Sequence, residues 1–348
     1  MSWLLYGANG YTGELIARKA AARGLTPVLA GRRPEPLQGL GSELGLPHRV
    51  FGLEAPAAID KGLESVTLVL HCAGPFSRTS RPMAEACLRR GAHYLDITGE
   101  VAVFEALAAR DAAARARGAM LLPGAGFDVV PSDCLAAHLK SRLPTATRLA
   151  LGFQAMGRLS RGTATTMLEN AHRGGLVRRN GALVRVPAGY KTRTIDFGRG
   201  PRAAITIPWG DVSTAFHSTG IPDIEVYMAA PAALRWGVQA SRLLGPVLGS
   251  RPVQRLLKRR IRAGAPGPSA EERARGRSFL WGEAADTLER VVVSRLRTPE
   301  GYELTALTAL AIVERVLAGD AHPGFQTPSH AYGADFVLGI PGVERQDE

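Results

Sequence analysis

The sequence predicts an α/β protein in two parts: a doubly wound parallel sheet at the N-terminus, then an α+β part built on a mixed or antiparallel sheet. Three observations carry this expectation. Six short apolar runs alternate with helix-period segments over the first 140 residues, and parallel neighbours require such long crossovers. The first run opens directly into a glycine-spaced turn and a helix, Gly7-Ala8-Asn9-Gly10-Tyr11-Thr12-Gly13. After Leu143-Pro144 strand-like runs follow one another through turns, without helices between them.

Taken in order, Trp3-Leu4-Leu5-Tyr6 is the first strand, and Tyr11 to Arg23 repeats apolar residues at helical spacing until Gly24 ends it. Further strands are expected at Pro27–Ala30, Arg49–Phe51, Thr67–Leu70, Tyr94–Ile97 and Ala119–Leu122, with helices such as Arg81–Arg90 and Ala102–Arg117 between them. In the second part, strands are expected at Arg148–Phe153, Leu183–Val186, Ala203–Ile207, Ile224–Met228 and Leu288–Leu296, and a helix at Leu304–Leu317. Ala263–Arg277, rich in Gly, Pro and Ser, reads as a surface loop. The expected domains are 1–143 and 144–348, with a C-terminal helix at 302–319 that packs back on the first domain.

Composition narrows the function classes. The 348 residues are 45% hydrophobic and 21% charged, an ordinary globular balance that excludes disorder as the main state. Cys72, Cys87 and Cys134 are too few and too scattered for a disulfide framework or a Cys-x-x-Cys metal site, so no metal is expected and a cytoplasmic location is. The longest apolar stretch, Met228–Gly249, is interrupted by Arg235 and Arg242, which argues against a membrane span. The opening residues lack the basic and long apolar regions of a signal peptide. The net charge is +12, and Arg235–Arg277 carries eleven basic residues against Glu271 and Glu272, a local +9.

The glycine turn is a G-x-x-G-x-x-G form of the Rossmann dinucleotide fingerprint. Gly7 permits the tight turn, Gly10 lets backbone approach a pyrophosphate, Gly13 lets the helix pack on the strand, and helix-start N–H groups face the anion. Asn9, Tyr11 and Thr12 fall in the same cradle. After the second strand an NAD site would place an acid for the ribose hydroxyls, whereas this chain has Arg32 and Arg33. Two guanidiniums suit a 2′-phosphate, so NADP(H) is the expected cofactor.

None of the seven tyrosines has Lys four residues later, which excludes the proton-donating pair of the short-chain dehydrogenases. Acyl-phosphate reductases need a nucleophilic cysteine, but Cys134 opens an apolar helix and Cys72 ends a buried strand. Three other motifs fall at carboxyl ends of parallel strands, where open α/β sheets bind ligands. They are His71-Cys72-Ala73-Gly74-Pro75-Phe76, Tyr94-Leu95-Asp96-Ile97-Thr98-Gly99-Glu100, and Gly124-Ala125-Gly126-Phe127-Asp128 running on to Pro131-Ser132-Asp133. With the glycine turn they make the chain resemble the saccharopine dehydrogenase-like oxidoreductases over its whole first domain. Gly276–Glu283 and Gly324–Pro328 look like the bacterial branch of that family, which includes trans-acting enoyl reductases.

The resemblance implies that Ala73, Gly74 and Pro75 line the second ribose and nicotinamide, with Thr98, Gly99 and Glu100 nearby. Glu100, Phe127 and Asp128 are the substrate-cleft candidates. Asp96, Glu100 and Asp128 could each hold a ribose, tune a proton donor or cap a helix; Asp133 reads as a cap. No residue stands out as the general acid. A saccharopine-type dicarboxylate would need fixed cations, for which Arg158, Arg161, Lys191 and Arg193 are available.

The expected function is therefore an NADPH-dependent reduction of a C=C, C=N or C=O bond, including enoyl reduction of acyl or polyketide intermediates; the alternative is a non-catalytic NADP(H) sensor or interaction protein. Residues 232–262 read as basic amphipathic helices with an apolar stripe at Val253, Leu256, Leu257 and Ile261. An acyl carrier protein or an anionic membrane surface suits that pattern, the latter making the protein peripheral to the membrane, or the helices pack on their own domain. No nucleic-acid-binding module accompanies the charge, so nucleic acid is not an expected partner.

Overall fold

A computed structural model describes residues 2–155, 158, 160–170, 174–232, 235, 237–238 and 250–348. The chain forms two compact units, Met1–Val130 with Leu304–Ala331, and Pro131–Glu303 with Tyr332–Glu348. The first break thus falls at Val130/Pro131 rather than at 143/144, and Leu304–Ala331 returns to the first unit.

The first unit holds seven strands, β1 (Trp3–Tyr6), β2 (Val28–Gly31), β3 (His48–Val50), β4 (Leu68–His71), β5 (His93–Asp96), β6 (Met120–Leu122) and, much later in the chain, β15 (Gly324–Phe325). All pair in parallel, in the order β15-β6-β5-β4-β1-β2-β3. β1, β2, β4 and β6 are buried along their whole length, which is why they read as continuous apolar runs rather than alternating ones. The crossovers are α1 (Tyr11–Ala22), α2 (Pro34–Leu44), α3 (Pro56–Gly62), α4 (Phe76–Arg90), α5 (Val101–Ala108) and α6 (Asp111–Ala116). α2 and α3 each begin on a proline, whose missing N–H costs nothing in a first turn; α2 and α4 end on left-handed Gly45 and Gly91.

From β1 the chain winds outward through β2 and β3, then returns to β4 and winds the other way. The strand order therefore reverses between β1 and β4, and the crevice at their carboxyl ends is where such sheets take ligands.

The second unit takes in α7 (Val130–Arg142) from Pro131 onward, β7 (Arg148–Ala155), α8 (Arg161–Asn170), β8 (Gly175–Arg179), β9 (Ala182–Val186), β10 (Thr192–Asp196), β11 (Pro201–Thr206), α9 (Asp211–Thr219), β12 (Asp223–Ala229), α10 (Arg251–Ala263), α11 (Ala270–Arg275), β13 (Arg277–Ala285) and β14 (Val291–Pro299). α12 (Gly301–Leu317), α13 (Pro328–Tyr332) and β16 (Glu344–Asp347) complete the elements, with α12 in the first unit from Leu304. The nine-stranded sheet is mixed: β7 and β12 are parallel, and the other pairs, including β7–β13 and β13–β14, are antiparallel. Gly282 leaves room on β13 for Leu139 and Leu135 of α7; an added methyl would stand 2.6 Å from Leu139.

Several expectations need correction. The segment expected as one helix at 102–117 is two, α5 and α6, with a turn at Ala109-Arg110 between them. The strand expected from Leu288 starts at Val291, because Asp286 accepts the backbone N–H groups of Leu288 and Arg290 and closes a turn there. The expected loop Ala263–Arg277 contains α11, started by a capping box: Ser269 Oγ accepts from Glu272 N, and Glu272 reaches back to Ser269 N at 2.7 Å. Asp133 is not an N-cap; it lies inside α7 and accepts from Ser218 Oγ. Of the stripe expected at 232–262, Val253, Leu257 and Ile261 are half-buried, but Leu256 is 57% exposed. Residues 233, 234, 236 and 239–249 of that stretch lie outside the described residues.

Candidate functional site

The turn after β1 is built by close approach. Gly7 has φ +84°, and a methyl there would stand 2.8 Å from Ala73 N, so the loops after β1 and β4 touch at a point only glycine fits. Gly13 is tighter still: a methyl would lie 2.2 Å from Gly7 O. Gly10, the residue before α1, is exposed with φ −87°, and a methyl there meets only Gly7 O at 3.2 Å. The first and third glycines thus serve the fold, while the second leaves open the space an anion needs in front of α1.

After β2, Arg32 and Arg33 are both exposed. They are not equivalent. Asn9 Oδ1, in the amide orientation that satisfies both partners, accepts from Arg33 Nε at 3.1 Å and Nη2 at 2.9 Å. Arg33 is thereby tied to the glycine turn and holds its shape. Arg32, next to it at the end of β2, is exposed and does not share that tether.

On the other side of the switch point the loops after β4, β5 and β6 are fastened to one another. Glu100 was a substrate-cleft candidate, but its two oxygens accept from Phe76 N (2.7 Å) and Ser77 N (3.2 Å), so it caps the first turn of α4 rather than the helix that follows it. Thr79 Oγ1 donates to Ala73 O at 2.6 Å across the Ala73-Gly74-Pro75 bend, where the Gly74–Pro75 bond is cis. Buried Asp96 accepts from Tyr94 OH (2.7 Å), Thr98 N (2.9 Å) and Gly124 N (3.0 Å), which joins the ends of β5 and β6. Burial raises its carboxyl to about 6 even though these donors favour the ionised form. Thr98 is buried and its hydroxyl accepts from Glu100 N at 3.1 Å.

Asp128 lies against Gly99, where an added methyl would stand 2.8 Å from Asp128 Oδ2. Burial pushes its carboxyl up to about 7. The loop that carries it is positioned by α12: Thr305 Oγ1 accepts from Phe127 N at 3.0 Å, and Thr308 Oγ1 donates to Ala125 O at 2.8 Å. Sequence reasoning missed Thr305 and Thr308, which stand more than 170 residues from the loop they hold. Gly74, Thr98, Gly99 and Asp128 are thus brought together at the carboxyl edge of the sheet, with Arg32 across the switch point from them.

Cys87 and Cys134 are buried, and burial pushes all three thiols above their ordinary range, which disfavours the thiolate a nucleophile needs. Two of the cations considered for a dicarboxylate are already paired, Lys191 with Glu225 at 2.6 Å and Arg193 with Glu283 at 2.5 Å. Among the described residues no cluster of His, Cys, Asp and Glu could hold a metal ion, and no helix is long and apolar enough to cross a membrane.

Comparison with known proteins agrees with this geometry. Residues 3–122 match the family model "Saccharopine dehydrogenase NADP binding domain". The human saccharopine dehydrogenase-like oxidoreductase is 26% identical over 162 residues, covering 40% of this chain and 37% of that protein. The trans-acting enoyl reductases of Mycobacterium ulcerans and Mycobacterium leprae are 31% and 33% identical over 147 and 148 residues, each covering 40% of this chain and 35% of the relative. The matched region therefore spans little more than a third of these relatives. Saccharopine dehydrogenase (L-Glu forming) from Saccharomyces cerevisiae superposes with a TM-score of 0.67 at 12% identity, over 100% of this chain and 99% of that one. Residues 3–122 thus match a saccharopine dehydrogenase NADP-binding domain, in a chain that has the fold of saccharopine dehydrogenase.

Proposed function

We propose that this chain is an NADPH-dependent reductase that transfers hydride to a C=C, C=N or C=O bond, with an α,β-unsaturated acyl thioester as the first substrate to try. One observation carries the proposal: the switch point between β1 and β4 has exposed Gly10 at the start of α1 in its middle, Arg32 on one side, and a partly buried carboxyl, Asp128, on the other. That polarity matches a dinucleotide laid across the crevice with its 2′-phosphate toward β2 and its nicotinamide toward β5 and β6. The enoyl preference is supported by the names of the mycobacterial relatives.

Bound NADPH supplies the hydride. The chain's own residues do the rest. The cradle of Asn9, Gly10, Tyr11 and Thr12 would receive the pyrophosphate, and Arg32 would pair the 2′-phosphate, with Arg33 fixed by Asn9 behind it. Ala73, Gly74 and Pro75 would back the nicotinamide ribose, in a bend held rigid by Thr79 and by Glu100 at the start of α4. Asp128, whose carboxyl burial raises to about 7, would hand a proton to the atom left negative after hydride arrives, and water would restore it. Each turnover then consumes one hydride and one proton and leaves a saturated product.

The test is oxidation of NADPH, followed at its own absorbance, with conjugated enoyl thioesters, imines and ketones in parallel. Steady turnover with one class and loss of it in Asp128→Asn support the proposal. Tight NADPH binding with no oxidation by any class would favour a sensor of the cofactor instead.

A further inference from the structure

We propose that a small cavity in the second unit, between the start of α8 and the end of α10, binds a phosphate group. The cavity measures about 190 Å³ and is lined by Arg158, Arg161 and Arg260, with Ala164, Ile261 and Gly264 among its walls and no carboxylate among the described residues that line it. Three arginines line this one small space, so their charges favour an anion there. Several other arginines are paired with acids: Arg18 with Glu14 and Glu43, Arg89 with Asp60, Arg193 with Glu283. Here Arg158 and Arg260 form no ion pair among the described residues. The acids that follow in sequence are committed elsewhere, Glu271 to Arg275 at 2.8 Å and Glu272 to the backbone of Ser269 at 2.7 Å.

The site is also organised. Arg161 donates from Nε (3.0 Å) and Nη2 (2.5 Å) to Gly264 O, which fixes its guanidinium at the cavity wall. The start of α8 is not the source of attraction, because Arg161 N is bonded to Pro266 O and Thr163 N to Ser160 Oγ. The charge is therefore carried by side chains, whose planar forks match phosphate oxygens. The volume lies below the roughly 300 Å³ at which drug-sized ligand pockets begin, which suits a phosphate-sized group.

A phosphate could come from a free phosphorylated metabolite or from a phospholipid headgroup. The exposure along α10 favours the headgroup: beside the cavity Leu256 is exposed together with Arg255 and Arg259, while Val253, Leu257 and Ile261 are half-buried.

The experiment uses the full chain at low ionic strength with two probes: inorganic phosphate by calorimetry, and sedimentation with phosphatidylcholine vesicles containing or lacking phosphatidic acid. The proposal predicts that the double variant Arg158→Gln/Arg260→Gln binds its probe at least about tenfold more weakly, with thermal midpoint and NADPH affinity unchanged. The single variant Arg260→Lys, which keeps the charge, should lose less. Loss of phosphate binding alone identifies a free phosphate as the ligand. Loss of retention on phosphatidic acid vesicles identifies the headgroup. Unchanged binding of both probes in the double variant, or failure of the wild type to bind either, overturns the proposal.

Discussion

Asp128→Asn separates a buried titrating carboxyl from an ordinary polar side chain. In the folded chain the Asp128 carboxyl is raised from 3.8 to about 7 by burial. A raised acid holds its proton more tightly in the folded state than in the unfolded one. Its contribution to stability is therefore fully present below about pH 4 and is lost as pH rises through 7. A shift of about three units corresponds to roughly 4 kcal/mol. Asp128 keeps some solvent access, which screens the effect, so about 2 kcal/mol is the working figure. Asparagine has the same shape and does not titrate, so the difference in unfolding free energy between variant and wild type should swing by about 2–4 kcal/mol between pH 4 and pH 8, favouring asparagine at the alkaline end. Urea unfolding at several pH values, followed through Trp3 in the first unit, measures it. Other titrating groups, His71 among them, are common to both proteins and cancel. A difference that stays constant from pH 4 to 8 would refute the burial argument and remove Asp128 as the proton-handling residue.

Arg32→Ala should narrow the preference for NADPH over NADH by tenfold or more, at roughly 1.5–3 kcal/mol for a charge-assisted contact. Arg33→Ala, whose guanidinium is held by Asn9, should loosen both cofactors together; parallel titrations of the two nucleotides distinguish the patterns. Gly13→Ala should destabilise the first unit by about 1–3 kcal/mol of overpacking and lower its thermal midpoint, or prevent its folding, because the methyl would stand 2.2 Å from Gly7 O; a midpoint within a degree of wild type would contradict the reading. His71 is buried among Tyr6, Phe76 and Tyr94 with neither ring nitrogen hydrogen-bonded among the described residues, and burial holds it neutral down to about pH 3. Since unfolding frees it to protonate near 6.5, stability should fall as pH drops below about 6.5, and His71→Leu should flatten that acid limb in thermal melts recorded between pH 4 and 7.

What the sequence showed of this fold follows from how locally each element is encoded. The six N-terminal parallel strands are legible because burial on both faces makes each a dense apolar run between glycine-rich turns. β15 escapes notice because two residues, Gly324 and Phe325, carry no period at all; they are held by Gly324 N donating to Ala119 O and the following Gln326 N to Leu121 O. β13 is hidden because Arg277, Gly282 and Glu283 interrupt its alternation, although its register with β7 runs unbroken from Ser278 to Ala285. The Ser269–Glu272 capping box, by contrast, was readable and marks α11 within what otherwise looks like loop. At the site, the glycines and Arg32 could be named because their roles depend on near neighbours. The tether of Arg33, the cap that Glu100 places on α4 and the grip of α12 on the Asp128 loop join residues distant in sequence, which no local pattern encodes.

The central claim, that the turn from Gly7 to Gly13 and Arg32 form an NADP(H) site, is tested most directly by calorimetric titration of NADPH and NADH into the wild type and Gly10→Ala. The Gly10 backbone already has a φ any residue adopts, so the variant should keep the wild-type melting point while a methyl occupies the space the pyrophosphate needs. The account predicts NADPH binding at least tenfold tighter than NADH in the wild type, and loss of both in the folded variant. Equal affinity for the two nucleotides, or NADPH binding that survives Gly10→Ala undiminished, would contradict it.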